Sequence, residues 1–353
     1  MGELRLTFVN VGYGEAMVLE CPDPGRPDGA FVMVIDGGSG EAEEYAGESG
    51  RIPLDTYLSL RGICRIDLMV ATHIHEDHLC GLLGPAARLR PGALWLPLPP
   101  EFHRVMRPLD VPAESTLSRS KFLRALNDCR TLCRQMEGRL VRPAAGTEQT
   151  LCPGLTVRVL GPSLRRLEEL EARCRELYEE TDPAAFLTRL DRLDAAMNNF
   201  SIMLLLEYRG VRILLPGDTN CMGYGELTAE DLRADLFKVG HHGQRDGVSA
   251  EQLRAIRPRA VVCCASSDRR YNSADPGVLR MIADSGAELY FSDCPPGPGG
   301  AVPPPHRALT FTVDGSGSLR GTYEPGPDES ANFPARAGIP VPAGTPLPAG
   351  GGT

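Results

Sequence analysis

Ala71-Thr72-His73-Ile74-His75-Glu76-Asp77-His78 closes an apolar run that begins Ile66-Asp67-Leu68-Met69-Val70. The run has the length and the branched aliphatic content of a buried strand. A strand of that kind carries three imidazoles and an aspartate to its own end within six positions. Imidazole with carboxylate is a donor set for zinc, and also for manganese or iron. The chain has only 7 histidines, so three in one short stretch are not the makings of an ordinary polar loop. The string predicts a metal site at a strand end.

Other strands end the same way. Residues 31–35 form an apolar run that stops at Asp36-Gly37-Gly38, where the glycines let the backbone pass close to another segment. Residues 211–215 lead into Pro216-Gly217-Asp218, and 236–239 into Gly240-His241-His242-Gly243. A sheet with Asp36, His73, Asp218 and His241 gathered at strand ends is a rigid way to hold one site.

The remaining pattern is mixed α/β. Strands are expected at 4–11, 16–21, 93–96, 155–160, 200–208, 260–264, 288–291, 308–313 and 318–323. Helices are expected at 55–61, 79–89, 118–137 and 276–285. Two charged helices, 163–180 and 183–196, read as an insertion over the site or as an outer lid, the second opened by the cap and proline Asp182-Pro183. From Glu324 the chain turns to Pro, Gly and Ala, the composition of a disordered tail.

Of the 353 residues, 42% are hydrophobic, enough for a sizeable core. No apolar window reaches the ~18 residues that a membrane span needs. The opening residues show no basic segment followed by a long apolar one, so no secretion signal is visible and a cytoplasmic protein is expected. The 11 cysteines lie mostly in apolar stretches without a C-x-x-C pair, which reads as reduced core thiols. A formal charge of −9 argues against general nucleic-acid binding. Residues 101–142 are locally basic, and that stretch reads as the solvated face of a helix before a phosphate-facing surface.

Taken together, Asp36-Gly37-Gly38, His73-x-His75-x-Asp77-His78, Gly217-Asp218 and His241-His242-Gly243 resemble the metallo-β-lactamase superfamily, and within it the ComEC-like group. Phe8-Val9-Asn10-Val11-Gly12-Tyr13-Gly14-Glu15-Ala16 is similar to that group's opening, and Asn198-Asn199-Phe200-Ser201 to its N-x-S strand entry. The resemblance covers about residues 4–323. It implies an α/β fold, a four-layer αβ/βα sandwich, with residues 1–323 as the hydrolase domain, a helical insertion at about 163–197 and a tail at 324–353. It further implies two divalent metal ions, zinc or manganese. His73 and His75 would bind one, Asp77, His78 and His241 the other, and Asp218 both. Asp36 would orient a ligand histidine from behind.

Two positions depart from the pattern. The strand end where many members carry a further ligand histidine reads Leu160-Gly161-Pro162, and the one histidine in that interval is His103. Where relatives have a histidine able to donate a proton, this sequence has Asp275. The expected catalytic set is therefore Asp77, Asp218, His242 and Asp275, with His242 and Asp275 as candidates for proton transfer. The expected activity is hydrolysis of a phosphodiester, a nucleic acid or cyclic nucleotide, by a metal-bridging hydroxide. Hydrolysis of a thioester, lactone or lactam is the alternative, and a non-enzymatic partner protein is a third reading.

Overall fold

A computed structural model describes residues 2–325, apart from 47–49, 226, 298–299 and 301. The tail expected from residue 324 lies outside the described residues from 326 onward. One sheet joins β1 (Leu4–Val9), β2 (Ala16–Pro22), β3 (Ala30–Gly37), β4 (Leu68–Val70), β5 (Ala93–Trp95) and β6 (Leu140–Val141) to β14 (His306–Val313) and β15 (Leu319–Pro325). Its order is β15-β14-β1-β2-β3-β4-β5-β6. The other sheet contains β7 (Glu148–Cys152), β8 (Leu155–Gly161), β9 (Met203–Tyr208), β10 (Val211–Leu215), β11 (Leu236–Lys238), β12 (Ala260–Cys263) and β13 (Glu288–Phe291), ordered β13 to β7. Each sheet is antiparallel through one half and parallel through the other.

Alternation along the strands builds the layers. Leu4, Leu6 and Phe8 of β1, with Met17, Leu19, Met33 and Ile35, meet Val157, Leu204, Leu206 and Ile213 of the other sheet. The opposite faces of β2 and β3, Val18, Val32 and Val34, pack on helices. Those helices are α1 (Leu54–Leu60), α2 (Glu76–Leu79), α3 (Leu83–Leu89), α4 (Leu117–Gln135), α5 (Leu164–Glu179) and α6 (Pro183–Met197). On the far side α7 (Ala229–Leu232), α8 (Ala250–Ile256) and α9 (Pro276–Ser285) cover Leu214, Phe237, Val261 and Leu289. Helix, sheet, sheet, helix is the expected four-layer sandwich. Among the described residues no helix is long and apolar enough to cross a membrane.

Some elements differ from the sequence reading. The helix expected over 79–89 is two helices, α2 and α3, separated by a 3-10 turn at Cys80–Leu82. Its cause is the passage of Gly81 against the Asp36-Gly37-Gly38 turn, where the Gly81 N–H donates to the Gly38 carbonyl at 2.9 Å. A Cβ on Gly81 would overlap the Gly37 carbonyl oxygen, so the two glycine turns require each other. β7 went unread because Glu148, Gln149 and Thr150 are all exposed and an edge strand of that kind shows no alternation. The basic stretch is largely tied up within the chain: Arg119 pairs with Asp191, Arg124 with Glu41 and Arg142 with Glu171. Those arginines make a paired surface, while Lys121 of the same stretch lines the cavity described below.

Candidate metal centre

The H-x-H-x-D-H string works through a change of backbone. After β4 the chain is still extended at His75 (φ −117°, ψ 155°), the residue that opens the one-turn helix α2. Alternate residues of an extended stretch face one side, which sets His73 beside His75. The turn of helix then swings Asp77 and His78 toward the same point. His73 Nε2 and His75 Nδ1 lie 3.0 Å apart. His78 Nε2 lies 3.2 Å from Asp218 Oδ2 and 3.3 Å from His242 Nε2. His242 Nε2 in turn lies 2.9 Å from Asp218 Oδ2 and 3.1 Å from Asp77 Oδ2.

His78, Asp218 and His242 lie at separations that fit a cation; with Glu15 they form a group whose ligand atoms all lie within 4.8 Å of one another, and Asp77 Oδ2 stands beside it, 3.8 Å from His78 Nε2. Zinc–nitrogen and zinc–oxygen bonds of ~2.0–2.1 Å in a tetrahedron put neighbouring donors about 3.3–3.4 Å apart. His73 and His75 offer a second pair beside the first, the His73 and His78 ring centres being 4.2 Å apart. His73, His78, Asp218 and His242 are all buried. The residues present therefore suit a divalent metal.

Burial, with the neighbouring His78 and His75 rings, holds the His73 imidazole well below its ordinary pKa. Burial also opposes charge on His78 and His242, but Asp218 and Asp77 outweigh it and hold both rings above the ordinary value. The two carboxylates are pulled far down by those rings against their own burial. Protons thus balance the charge that a cation would balance. Loading a metal displaces them, so affinity for it weakens as pH falls.

Asp36 holds the cluster from behind. It stands at the end of β3 with φ +55°, a strained conformation imposed by its surroundings. The Thr72 N–H donates to its Oδ1 at 2.7 Å and the Thr72 hydroxyl to its Oδ2 at 2.6 Å. His78 Nδ1 donates to Oδ2 at 2.8 Å, which leaves His78 Nε2 facing the cluster.

The paired histidines take places opposite to the sequence expectation. His242 enters the donor cluster, and its Nδ1 donates to the Cys264 carbonyl at 3.1 Å. His241, expected as the ligand, stands in the cavity wall instead. Its Nδ1 meets Asp246 Oδ1 at 2.8 Å and its Nε2 meets Asn198 Nδ2 at 3.0 Å. Both residues have left-handed backbone, φ +46° and +49°, and this turn points consecutive rings in different directions. Asp275 is engaged as the cap of α9, accepting from the Gly277 and Val278 N–H groups. It does not line the cavity. His103 is turned elsewhere, bonded to the Pro100 carbonyl at 3.0 Å.

Three residues of the site were not singled out from the sequence. Lys238, fully buried at the end of β11, donates to the Gly217 carbonyl at 2.8 Å, contacts Asp218 Oδ1 at 3.3 Å and pairs with buried Glu15. Burial pulls its ammonium down to about 8, still charged at neutral pH. Lys238 therefore holds one oxygen of Asp218 while the other faces the cluster. Glu15 comes from the β1–β2 turn, whose Gly14 (φ +121°) lies against the Asp77 carbonyl where a Cβ would not fit. The signal for Lys238 was a charge inside an apolar strand, a rare place for lysine without a partner.

Asp194 is the third. Carried by α6, its Oδ1 lies 3.1 Å from His75 Nε2, and its Oδ2 accepts from the Ser118 hydroxyl at 3.0 Å. It stands to His75 as Asp36 stands to His78. Carboxylates in that position usually account for 10- to 100-fold in metal affinity. Asp194→Ala should accordingly weaken a metal held through His75 by about that factor, read by competition against a chelating dye. Unchanged affinity would remove Asp194 from the site.

The donors open on a cavity of about 280 Å³, whose wall includes Tyr13, Lys121, Phe122, Asn198, Gln244 and Tyr271. Lys121 Nζ lies 3.2 Å from Glu76 Oε2, and the neighbouring carboxylate raises its pKa against burial.

Over 290 residues the chain is 23% identical to ComE operon protein 3 of Bacillus subtilis (strain 168). The match takes in 79% of this chain, with the histidine string and the other strand-end motifs all placed on one sandwich edge. The chain is similar in sequence to this ComEC-type relative, and its two sheets and flanking helices form a metallo-β-lactamase-type sandwich. It spans 30% of the length of that curated relative. No family model matches. Among solved structures, the chain aligns with a putative metal-dependent hydrolase from Parabacteroides distasonis at TM-score 0.40 and 14% identity, covering 82% of this chain and 93% of that one. It also aligns with zinc-bound PqqB from Methylobacterium extorquens at TM-score 0.40 and 13% identity, covering 81% and 98%.

Proposed function

We propose that this chain is a metal-dependent hydrolase that cleaves phosphodiesters. The observation that carries the reading is the convergence of Asp77, His78, Asp218 and His242 at metal-ligand separations, with His73 and His75 alongside. We assign one cation to the first four residues and a second to His73, His75 and Asp218, zinc and manganese both suiting such donors. When bound, such cations acidify water and polarise a phosphoryl oxygen.

The chain's own residues supply the rest. Asp36 and Asp194 fix the tautomers of His78 and His75, so that each presents the free ring nitrogen to the centre. Lys238 holds Asp218 oriented through its Oδ1. Lys121 is placed to meet a non-bridging oxygen of an entering phosphodiester. His241 lines the cavity with its Nδ1 held by Asp246, and in its imidazolium form it is the proton donor to the departing alkoxide, Nε2–H giving up the contact with Asn198 and the ring returning to neutral. Asp275, spent on capping α9, is not assigned that part. Lys121 also favours an anionic diester over a neutral thioester, lactone or lactam.

The test is turnover of bis(p-nitrophenyl) phosphate beside a chromogenic lactam and a thioester. Chelator-treated protein should be inert, and zinc or manganese should restore cleavage of the diester alone. Restored cleavage of the lactam or thioester instead would overturn the reading.

A further inference from the structure

Three rings form a column from the donor cluster to the cavity mouth. His242 packs on Tyr13 with ring centres 4.7 Å apart, and Tyr13 on Tyr271 at 5.2 Å. Tyr13 is 8% exposed, whereas Tyr271 is 53% exposed. Among the described residues the column therefore ends in a half-exposed aromatic ring. Both tyrosines line the cavity.

The backbone beneath Tyr271 is unusual. Arg269, Tyr271 and Asn272 have φ of +52°, +53° and +57°, a region that few residues other than glycine enter. Such a segment persists only where its surroundings impose it. Here Arg270 pairs with Glu44 and with Asp268, Arg269 donates to the Ala274 carbonyl at 2.9 Å, and the Ser273 hydroxyl donates to the Arg270 carbonyl. These bonds hold an exposed tyrosine out over the cavity when the same chain could have turned it away.

The cavity's size and charge say what the face would meet. At about 280 Å³ it is at or below the small end of ligand pockets, roughly 300–1,000 Å³. A phosphodiester seated at the donors leaves part of that space for what it carries, and that part is walled by Tyr13 and Tyr271. Among the described lining residues Lys121 is the only lysine or arginine, and Glu76 already pairs with it. Arg270, whose guanidinium carbon lies 6.0 Å from the Tyr13 ring centre, is already paired with Glu44 and Asp268, so grip on the rest of the substrate falls to a contact that does not depend on charge. Stacking of a planar ring on tyrosine is such a contact, and every nucleobase offers one.

We propose that Tyr271, backed by Tyr13, is the stacking site for a nucleobase attached to the scissile phosphodiester. This inference rests on the phosphodiesterase reading and narrows it to base-bearing diesters. Gln244, which hydrogen-bonds Tyr13, steadies the ring behind the platform.

The test compares two ligands and two esters on the metal-loaded full chain. Calorimetry measures binding of thymidine 5′-monophosphate against 2-deoxyribose 5-phosphate. Kinetics measures thymidine 5′-(p-nitrophenyl phosphate) against methyl p-nitrophenyl phosphate. The expected result is tighter binding and larger kcat/KM for the base-bearing member of each pair. In Tyr271→Ala both ratios fall, by about 5- to 150-fold, the range that loss of one stacked base gives. Tyr271→Phe, which keeps the ring, restores them. Equal handling of the two members by the wild-type chain, or ratios that survive Tyr271→Ala, would overturn the stacking site. Should neither ester be cleaved while the base-dependent binding persists and Tyr271→Ala abolishes it, the phosphodiesterase reading falls and the stacking site stands.

Discussion

Asp218→Asn should leave the chain without tightly bound metal and lower hydrolysis on the order of 10³-fold or more, beyond the 10- to 100-fold typical of partners outside the donor set. The substitution keeps the side chain's volume and removes its charge. Asp218 Oδ2 is the oxygen nearest to both His78 and His242, while Oδ1 contacts Lys238. A neutral amide would weaken the donor and leave Lys238 with Glu15 as its remaining carboxylate partner. Metal per chain after desalting, measured by plasma emission, separates this effect from misfolding when read beside the thermal midpoint. A folded variant with wild-type metal content would contradict the assignment of Asp218.

His241→Gln is expected to lower kcat by about 10²- to 10⁴-fold, the usual contribution of a positioned proton donor, but only where the leaving group needs a proton. An alkyl phosphodiester leaves as a basic alkoxide and should show the full loss. A p-nitrophenyl ester leaves as a stable phenolate and should show little. Metal content should be unaffected, because Nε2 of His241 meets Asn198 and not the donor cluster. An equal loss on both esters, or loss of metal, would mean that His241 is a ligand and that the exchange with His242 is wrong.

That exchange marks how far the sequence could be read. Spacing alone placed a ligand after β11, since a strand that runs into two histidines must bring one of them to the sheet edge. Which ring turns inward depends on consecutive left-handed residues at 241 and 242, and no periodicity reports that conformation. The H-x-H-x-D-H string was legible because its geometry is local, two residues of extended chain and one turn of helix. The sandwich was legible because β2 and β3 alternate between two apolar faces, and β1 sets Leu4, Leu6 and Phe8 on one face against Arg5 and Thr7 on the other. Asp194 was not legible. It lies 119 positions from His75 on the polar side of an amphipathic helix, where an aspartate ordinarily means solvent. Asp275 misled for a related reason: before a proline that opens a helix, an aspartate is first of all a cap. Glu15 and Lys238 were visible as charges in apolar surroundings, but their pairing across the two sheets was not.

The central claim is that Asp77, His78, Asp218 and His242 hold a cation. Anomalous diffraction from crystals grown with zinc or manganese tests it most directly. The account requires a peak within about 2.0–2.2 Å of those four side chains, with a second near His73 Nε2 and His75 Nδ1. A cation bound instead by His241 with His242 turned away, or no peak among these donors at full metal loading, would contradict it.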